Sequence, residues 1–125
     1  MKKIIFYSYL KCSTCRKAAK WLDNRDFEYQ LIDIIKEPPL FEYLNLAIEQ
    51  YSADIKKVFN TRGKSFKSIS IDIFSLSKEE IIQLLFSDGK LIKRPFLVCE
   101  EKKVILGFNE IEYAKQLCND QKLSL

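Results

Sequence analysis

Cys12-Ser13-Thr14-Cys15 is the segment whose residue types and spacing could do chemistry. Two thiols three residues apart can pass two electrons by opening and closing a disulfide. The chain contains no histidine. That excludes an imidazole base, a Ser-His or Cys-His pair and a mixed Cys/His zinc site. Catalysis then falls to thiolate, carboxylate, hydroxyl or arginine. Lys11, Arg16 and Lys17 add positive charge around the pair. If the pair opens a helix, the N-terminal amides and the macrodipole stabilise a thiolate and lower its pKa from about 8.5. Cys12 is then the exposed nucleophile, and Cys15, inside the first turn, the resolving thiol. Two other readings compete. A four-thiolate zinc site with Cys99 and Cys118 would need a second closely spaced pair, which is missing. Two inert, buried cysteines are the other. Cys99 in an apolar run, and Cys118 on a helix face with Ile111 and Ala114, read as core.

Three further segments carry charge or punctuation. Arg94-Pro95 precedes an apolar run. It is either a plain strand-edge stop with a surface charge or a group that faces the thiols. Arg62, in Asn60-Thr61-Arg62-Gly63, is either an anion-binding arginine or a solvated loop residue. Gly63-Lys64-Ser65 resembles the end of a phosphate-binding loop, but Val58 stands where the motif needs its first glycine. No preceding strand supports it either.

These residues must be positioned by regular elements. Ile4, Ile5, Phe6 and Tyr7 form a near-continuous apolar run, which suits a central strand over Lys3 to Tyr7. Cys12 to Arg25 follows as a helix with Cys12, Cys15, Ala18, Ala19 and Leu22 on one face. Phe27 to Ile34 reads as a second strand. A strand, a helix and a strand in about 30 residues make a βαβ unit with parallel strands. Leu40, Tyr43, Leu44, Ala47, Ile48 and Tyr51 then recur at helical spacing, with Pro38 and Pro39 at the start. Residues 54–59 read as a short helix. Ser77 and Glu80 form a capping-box pattern for a helix from about Lys78 to Phe86, with Gly89 as its stop. Phe96 to Cys99 and Lys103 to Leu106 are a hairpin. A last helix runs from about Glu110 to Leu117, capped by Asn109. The order βαβ, helices, ββα predicts an α/β protein with a mixed four-stranded sheet flanked by helices, and the CxxC inside its βαβ unit reads as the redox pair of a thioredoxin-like fold. That fold places a cis-proline before its third strand, opposite the CxxC, so Pro95 is expected to be cis and Arg94 to lie near the thiols.

At 125 residues the chain has room for one domain, 1–125. Its net charge of +4 and pI near 8.8 are mild, and its basic residues are scattered in pairs. No basic stripe marks direct nucleic-acid binding. The apolar run after Met1-Lys2-Lys3 stops by Ser8, too short for a signal segment, and no stretch could span a membrane. A cytoplasmic location, with reduced cysteines, is expected.

Together, Cys12-Ser13-Thr14-Cys15-Arg16-Lys17-Ala18, Asn60-Thr61-Arg62-Gly63, Leu91-Ile92-Lys93-Arg94-Pro95 and Gly107-Phe108-Asn109-Glu110 resemble the arsenate reductase (ArsC)-like family. The likeness is particularly to its Spx/MgsR and YffB-like branches. The resemblance covers nearly the whole length. It implies a thioredoxin-like fold with a helical insertion over about 38–90 and no bound cofactor or metal, with glutathione as a co-substrate and glutaredoxin or thioredoxin as reductant. Reductases of this family use one nucleophilic cysteine, matched by Cys12, and three arginines that hold the oxyanion. Arg94 matches one, Arg62 lies near the place of another, and the third falls near Gly107. With Arg16 and Pro95, these form the expected anion site. The reductases commonly have serine at the position of Cys15. Spx-type regulators instead share the CxxC pair and bind the C-terminal domain of the RNA polymerase α subunit. The glycine associated with that contact is missing around Ser52-Ala53-Asp54.

Overall fold

The computed structural model describes residues 2–123. Strand β1 (Ile4–Ser8) leads into helix α1 (Ser13–Asn24) and strand β2 (Gln30–Asp33). Helices α2 (Phe41–Gln50), α3 (Lys64–Lys67) and α4 (Lys78–Ser87) follow. Short 3-10 segments lie at Ser52–Val58, Ile73–Ser75 and Gly89–Leu91. Strands β3 (Phe96–Cys99) and β4 (Lys103–Leu106) and helix α5 (Glu110–Leu123) complete the order. The sheet runs β2-β1-β3-β4. β1 and β2 are parallel, as a strand-helix-strand crossover requires. β1 and β3 are antiparallel, as are β3 and β4. This is a thioredoxin-like arrangement, with the helical segment between β2 and β3.

Alternation along the strands divides the core into two layers. Ile4, Phe6, Leu97, Cys99 and Ile105 face α1 and α5, where Ala18, Trp21, Leu22, Tyr113 and Leu117 meet them. Ile5, Tyr7, Phe96, Val98 and Val104 face the other side, against Tyr43, Leu44, Ala47 and Ile48 of α2 and Ile81 and Leu85 of α4. Burying each such leucine contributes about 1.5–3 kcal/mol. Covering both faces explains why β1 carries no polar alternation.

Several boundaries differ from the sequence expectation for physical reasons. β2 starts at Gln30 because Phe27 and Tyr29 pack on the α1 side of the core, with Phe27 stacked on Trp21 at 5.9 Å. The α4 capping box forms as expected: Ser77 Oγ accepts from the Glu80 amide at 3.1 Å, and the Ser77 amide donates to Glu80 Oε1 at 2.8 Å. Gly89, however, is no left-handed helix stop. A Cβ there would lie 2.1 Å from the Ile34 carbonyl oxygen. It is glycine because the chain after α4 presses against the backbone after β2. On α5 the buried face is Tyr113 and Leu117, whereas Ile111 and Ala114 are exposed. The Tyr113 hydroxyl donates to the Gly107 carbonyl at 3.0 Å, which sets that face. Cys99 is buried and Cys118 half-buried in the same layer. Among the described residues no helix is long and apolar enough to cross a membrane.

Candidate active site

The thiol pair lies at the C-terminal end of β1, where the chain turns into α1. The Cys12 amide donates to the Tyr9 carbonyl at 3.0 Å, closing the turn. Cys12 is the N-cap of α1, with extended backbone. Its Sγ accepts from the Cys15 amide at 3.4 Å, so a sulfur fills the place usually taken by a serine or aspartate oxygen. The first turn of α1 carries no acidic residue. Nothing there opposes the field of the free amides.

The two thiols are pushed in opposite directions. Burial raises the Cys12 thiol. The Cys15 amide, the Cys15 thiol and the Arg94 guanidinium outweigh it and hold Cys12 below its ordinary value. Cys15 is only 1% exposed. Burial first, and the hydrogen bond to Cys12 next, push it up to about 11, against smaller contributions from the Tyr9 backbone and the Ser8 side chain. Both thiols are free. The half-buried Cys12 is the one a reactant can reach.

Arg94 reaches this place through backbone pairing far from the thiols. The Asn60 amide donates to the Leu91 carbonyl at 2.8 Å, and the Lys93 amide to the Val58 carbonyl at 2.9 Å. Phe59 and Ile92 form the bridge between those bonds. The Arg94-Pro95 bond is cis, and the Pro95 carbonyl accepts from the Gly107 amide at 2.9 Å. The Arg94 guanidinium helps hold the Cys12 thiol down and lies 5.0 Å from the Tyr9 ring centroid. A cleft of about 250 Å³ opens beside it, lined by Tyr9, Asn60, Gly63, Lys64, Lys90 and Arg94 with Ile35 and Ser65. Three of those side chains are cationic, so the cleft suits an anion.

The structure therefore brings Cys12, Cys15, Arg94 and Pro95 together. It does not bring Arg16 or Arg62 to the cleft. Arg16 turns back, and its Nη1 donates to the Leu10 carbonyl at 2.6 Å. Arg62 is exposed and outside the lining, although its neighbours Asn60 and Gly63 belong to it. Tyr9, Lys64 and Lys90 were missed from the sequence. Tyr9, three residues before Cys12 at the end of an apolar strand, was the one with a local signal. A larger groove, about 570 Å³, runs along α1 past Thr14, Lys17, Trp21, Arg25 and Phe108. No thiol lines either cavity, but Arg94, whose guanidinium acts on Cys12, lines the smaller one, and we place the chemistry there. Among the described residues no three metal-ligating side chains gather.

Fold and site together define a class: a thioredoxin-like α/β protein whose CxxC pair opens the first helix and whose third strand is preceded by a cis-proline. Residues 7–116 match the ArsC family, and the chain belongs to that family. It is 41% identical over 112 residues to the uncharacterized protein YusI of Bacillus subtilis, covering 88% of this chain and 94% of that one. It is 32% identical to the regulatory protein MgsR of the same organism, covering 91% and 90%. Among solved structures, a possible arsenate reductase from Streptococcus mutans is 41% identical, with a TM-score of 0.78 over 85% of this chain and 91% of that one.

Proposed function

We propose that this chain is a cytoplasmic dithiol–disulfide redox protein in which Cys12 attacks and Cys15 resolves. The observation that carries the proposal is the opposite displacement of the two thiols: Cys12 lowered and accessible, Cys15 raised and buried. The Cys12 thiolate attacks one sulfur of a disulfide, forming a mixed disulfide and releasing the other half as a thiolate. Cys15 gives up its proton, and its thiolate attacks the Cys12 sulfur. The Cys12–Cys15 bond forms, and the second half of the substrate leaves. Two electrons pass from the protein to the substrate. Glutathione, glutaredoxin or thioredoxin then reduces the protein disulfide.

With arsenate as substrate, the Cys12 sulfur would displace an arsenate oxygen, which leaves as water after protonation. Attack by Cys15 on the Cys12 sulfur breaks the sulfur–arsenic bond, and arsenic keeps the electron pair and leaves as arsenite. Arg94, with Lys64 and Lys90 across the cleft, neutralises the anion, and the amides of Ser13 and Thr14 at the head of α1 assist. Arg16 and Arg62 have no part in this step in the conformation described.

Mild peroxide followed by thiol mapping tests the shared core, which requires a reversible Cys12–Cys15 disulfide. Both cysteines remaining alkylatable in folded, oxidised protein would falsify it. A coupled assay of arsenate-dependent NADPH consumption, with glutathione/glutaredoxin or thioredoxin, tests the substrate. The rate should vanish in Cys12→Ser, and no rate in the unmutated protein removes arsenate.

The likeness to MgsR across nine-tenths of the chain supports a second reading. In it the same disulfide is a switch, and the chain is a regulator that binds the C-terminal domain of the RNA polymerase α subunit. Capture of that domain by the purified protein, altered by oxidation, is the expected result. No capture in either redox state rules it out.

A further inference from the structure

Leu10 is the most exposed large apolar side chain among the described residues, at 83%. It stands at the tip of the turn that delivers Cys12, one residue from Lys11 and two from the nucleophile. Its backbone is held in place, because the Arg16 guanidinium is bound to its carbonyl oxygen. A bare leucine fixed beside a reactive thiol contributes nothing to folding.

A second apolar side chain stands across from it. Leu31, 60% exposed, lies on β2 in register with Phe6 of β1. It therefore shares the sheet face that carries α1. Ser8, Leu10, Leu31, Ile32 and Asp33 line a cleft of about 220 Å³ between the thiol turn and this strand. β2 is an edge of the sheet, and among the described residues no strand pairs with its outer side. Such an edge accepts an extended segment through main-chain hydrogen bonds.

Charge indicates what kind of segment fits. Lys11 and Arg16 are exposed beside Leu10, the first as its chain neighbour and the second bonded to its carbonyl oxygen. The cleft's one acidic residue, Asp33, is already engaged: its Oδ1 accepts from the Ile35 amide at 2.8 Å and the Lys36 amide at 3.2 Å. The rim at the thiol turn is thus positive, and the floor is apolar apart from Ser8 and Asp33. A small oxyanion or a free amino-acid thiol has no use for two leucines and a strand edge. A polypeptide does.

We infer that Leu10, Leu31 and the outer edge of β2 form a docking site for an extended segment of a protein disulfide substrate, one with an apolar residue and acidic residues flanking its cysteine. This rests on the redox function proposed above and narrows its substrate to protein disulfides. Burying one leucine on the substrate and one on this surface, after the ordering costs of binding, is worth at least about tenfold in association, and the charged rim adds a salt-dependent part.

The experiment is one turnover of pre-reduced protein, so that no external reductant enters. The protein's two thiols lose two electrons and two protons, and the substrate disulfide becomes two thiols. Two short peptides, each dimerised through a central cysteine, are compared, one flanked by leucine and aspartates and the other by serine and lysines. Hydroxyethyl disulfide is the reference, and each peptide's second-order rate constant is divided by the reference value. The leucine–aspartate peptide should be favoured about tenfold or more. Leu10→Ser and Leu31→Ser should each cut that preference at least about threefold, and the second lies on a different strand from the thiols. Reduction of hydroxyethyl disulfide with no preference between peptides, or a preference that survives both variants, overturns the docking site and leaves the redox function standing. No reaction with any disulfide overturns both. Sedimentation showing a dimer that Leu10→Ser dissolves assigns the face to a second copy of this chain and also overturns the proposal.

Discussion

If Cys12 is held as a ready thiolate and Cys15 is withheld, the two must differ in their reaction with a small alkylating agent. At about pH 8 a thiol with a pKa of about 11 is ionised to about one part in a thousand. Cys12, below the ordinary 9.0, is ionised to more than about one part in ten. Thiolate fractions alone then favour Cys12 by about a hundredfold. The less basic thiolate is the weaker nucleophile, however. With a Brønsted slope of about 0.4–0.5, a gap of about two units removes roughly a factor of eight. About tenfold remains, and the burial of Cys15 widens it. The assay is timed treatment with iodoacetamide between about pH 6 and pH 10, quenched and read by peptide mass spectrometry. Cys12 should be labelled first, with a midpoint below 9, while labelling of Cys15 is still rising at the alkaline end. In Cys12→Ser, Cys15 should remain slow, because burial is the larger cause of its shift. Equal labelling rates, or a Cys12 midpoint above 9, would refute the polarised pair.

Further perturbations test the surroundings. In Arg94→Gln the midpoint for Cys12 labelling should move upward, and in Arg94→Lys by less, since both the hydrogen bond and the charge of Arg94 lower it; an unchanged midpoint places the guanidinium elsewhere. Gly89→Ala should cost about 3 kcal/mol in urea unfolding followed by Trp21 fluorescence, because its Cβ meets fixed backbone. In Gly63→Ala the obstacle is the Asn60 side-chain amide at 2.7 Å, which can rotate, so the cost should stay under about 1 kcal/mol; equal losses count against the distinction. Burial also raises Cys15 to about 11 and Tyr7 to about 12. Between the ordinary values of 9.0 and 10.0 and these raised ones, the unfolded chain has lost protons that the folded chain keeps. The contribution of these two groups to stability is therefore full below about pH 9 and is lost as pH rises toward 12. A urea midpoint that is the same at about pH 8 and pH 11 contradicts this.

The legible parts of the fold were those set by neighbours in the chain. The hairpin Phe96–Cys99 and Lys103–Leu106, the Ser77–Glu80 box and the Asn109 cap follow from spacings of two to four residues. The CxxC at the head of α1 was legible for the same reason. What escaped depends on contacts between distant segments. Gly89 is required by Ile34, which lies 55 residues earlier, and a lone glycine after a helix looks the same whether it turns the chain or admits a neighbour. Lys64 and Lys90 share a cleft only because Asn60 pairs with Leu91 and Lys93 with Val58. Arg62 was singled out by its type, yet the adjacent Asn60 and Gly63 face the cleft in its stead. The buried face of α5 was misplaced because Ile111 and Cys118 are apolar at helical spacing. The Tyr113 hydroxyl had a partner at Gly107 that no periodicity reveals.

The lack of histidine then becomes a constraint on the order of events. Without an imidazole, no strong base waits beside either thiol to remove a proton on demand. Cys12 needs none, since amides and Arg94 favour its ionised form before any substrate arrives. Cys15 cannot share that arrangement. Burial is the larger cause of its raised pKa, and the hydrogen bond and negative charge of Cys12 add to it. In the proposed cycle the first step removes that second contribution. Once the Cys12 sulfur is bonded to substrate it carries no charge, and it no longer competes for the amide and guanidinium that held it. The pKa of Cys15 must then fall, and its thiolate appears beside the sulfur it has to attack. The resolving thiol is thus kept protonated until there is something to resolve, and the completed first step releases it.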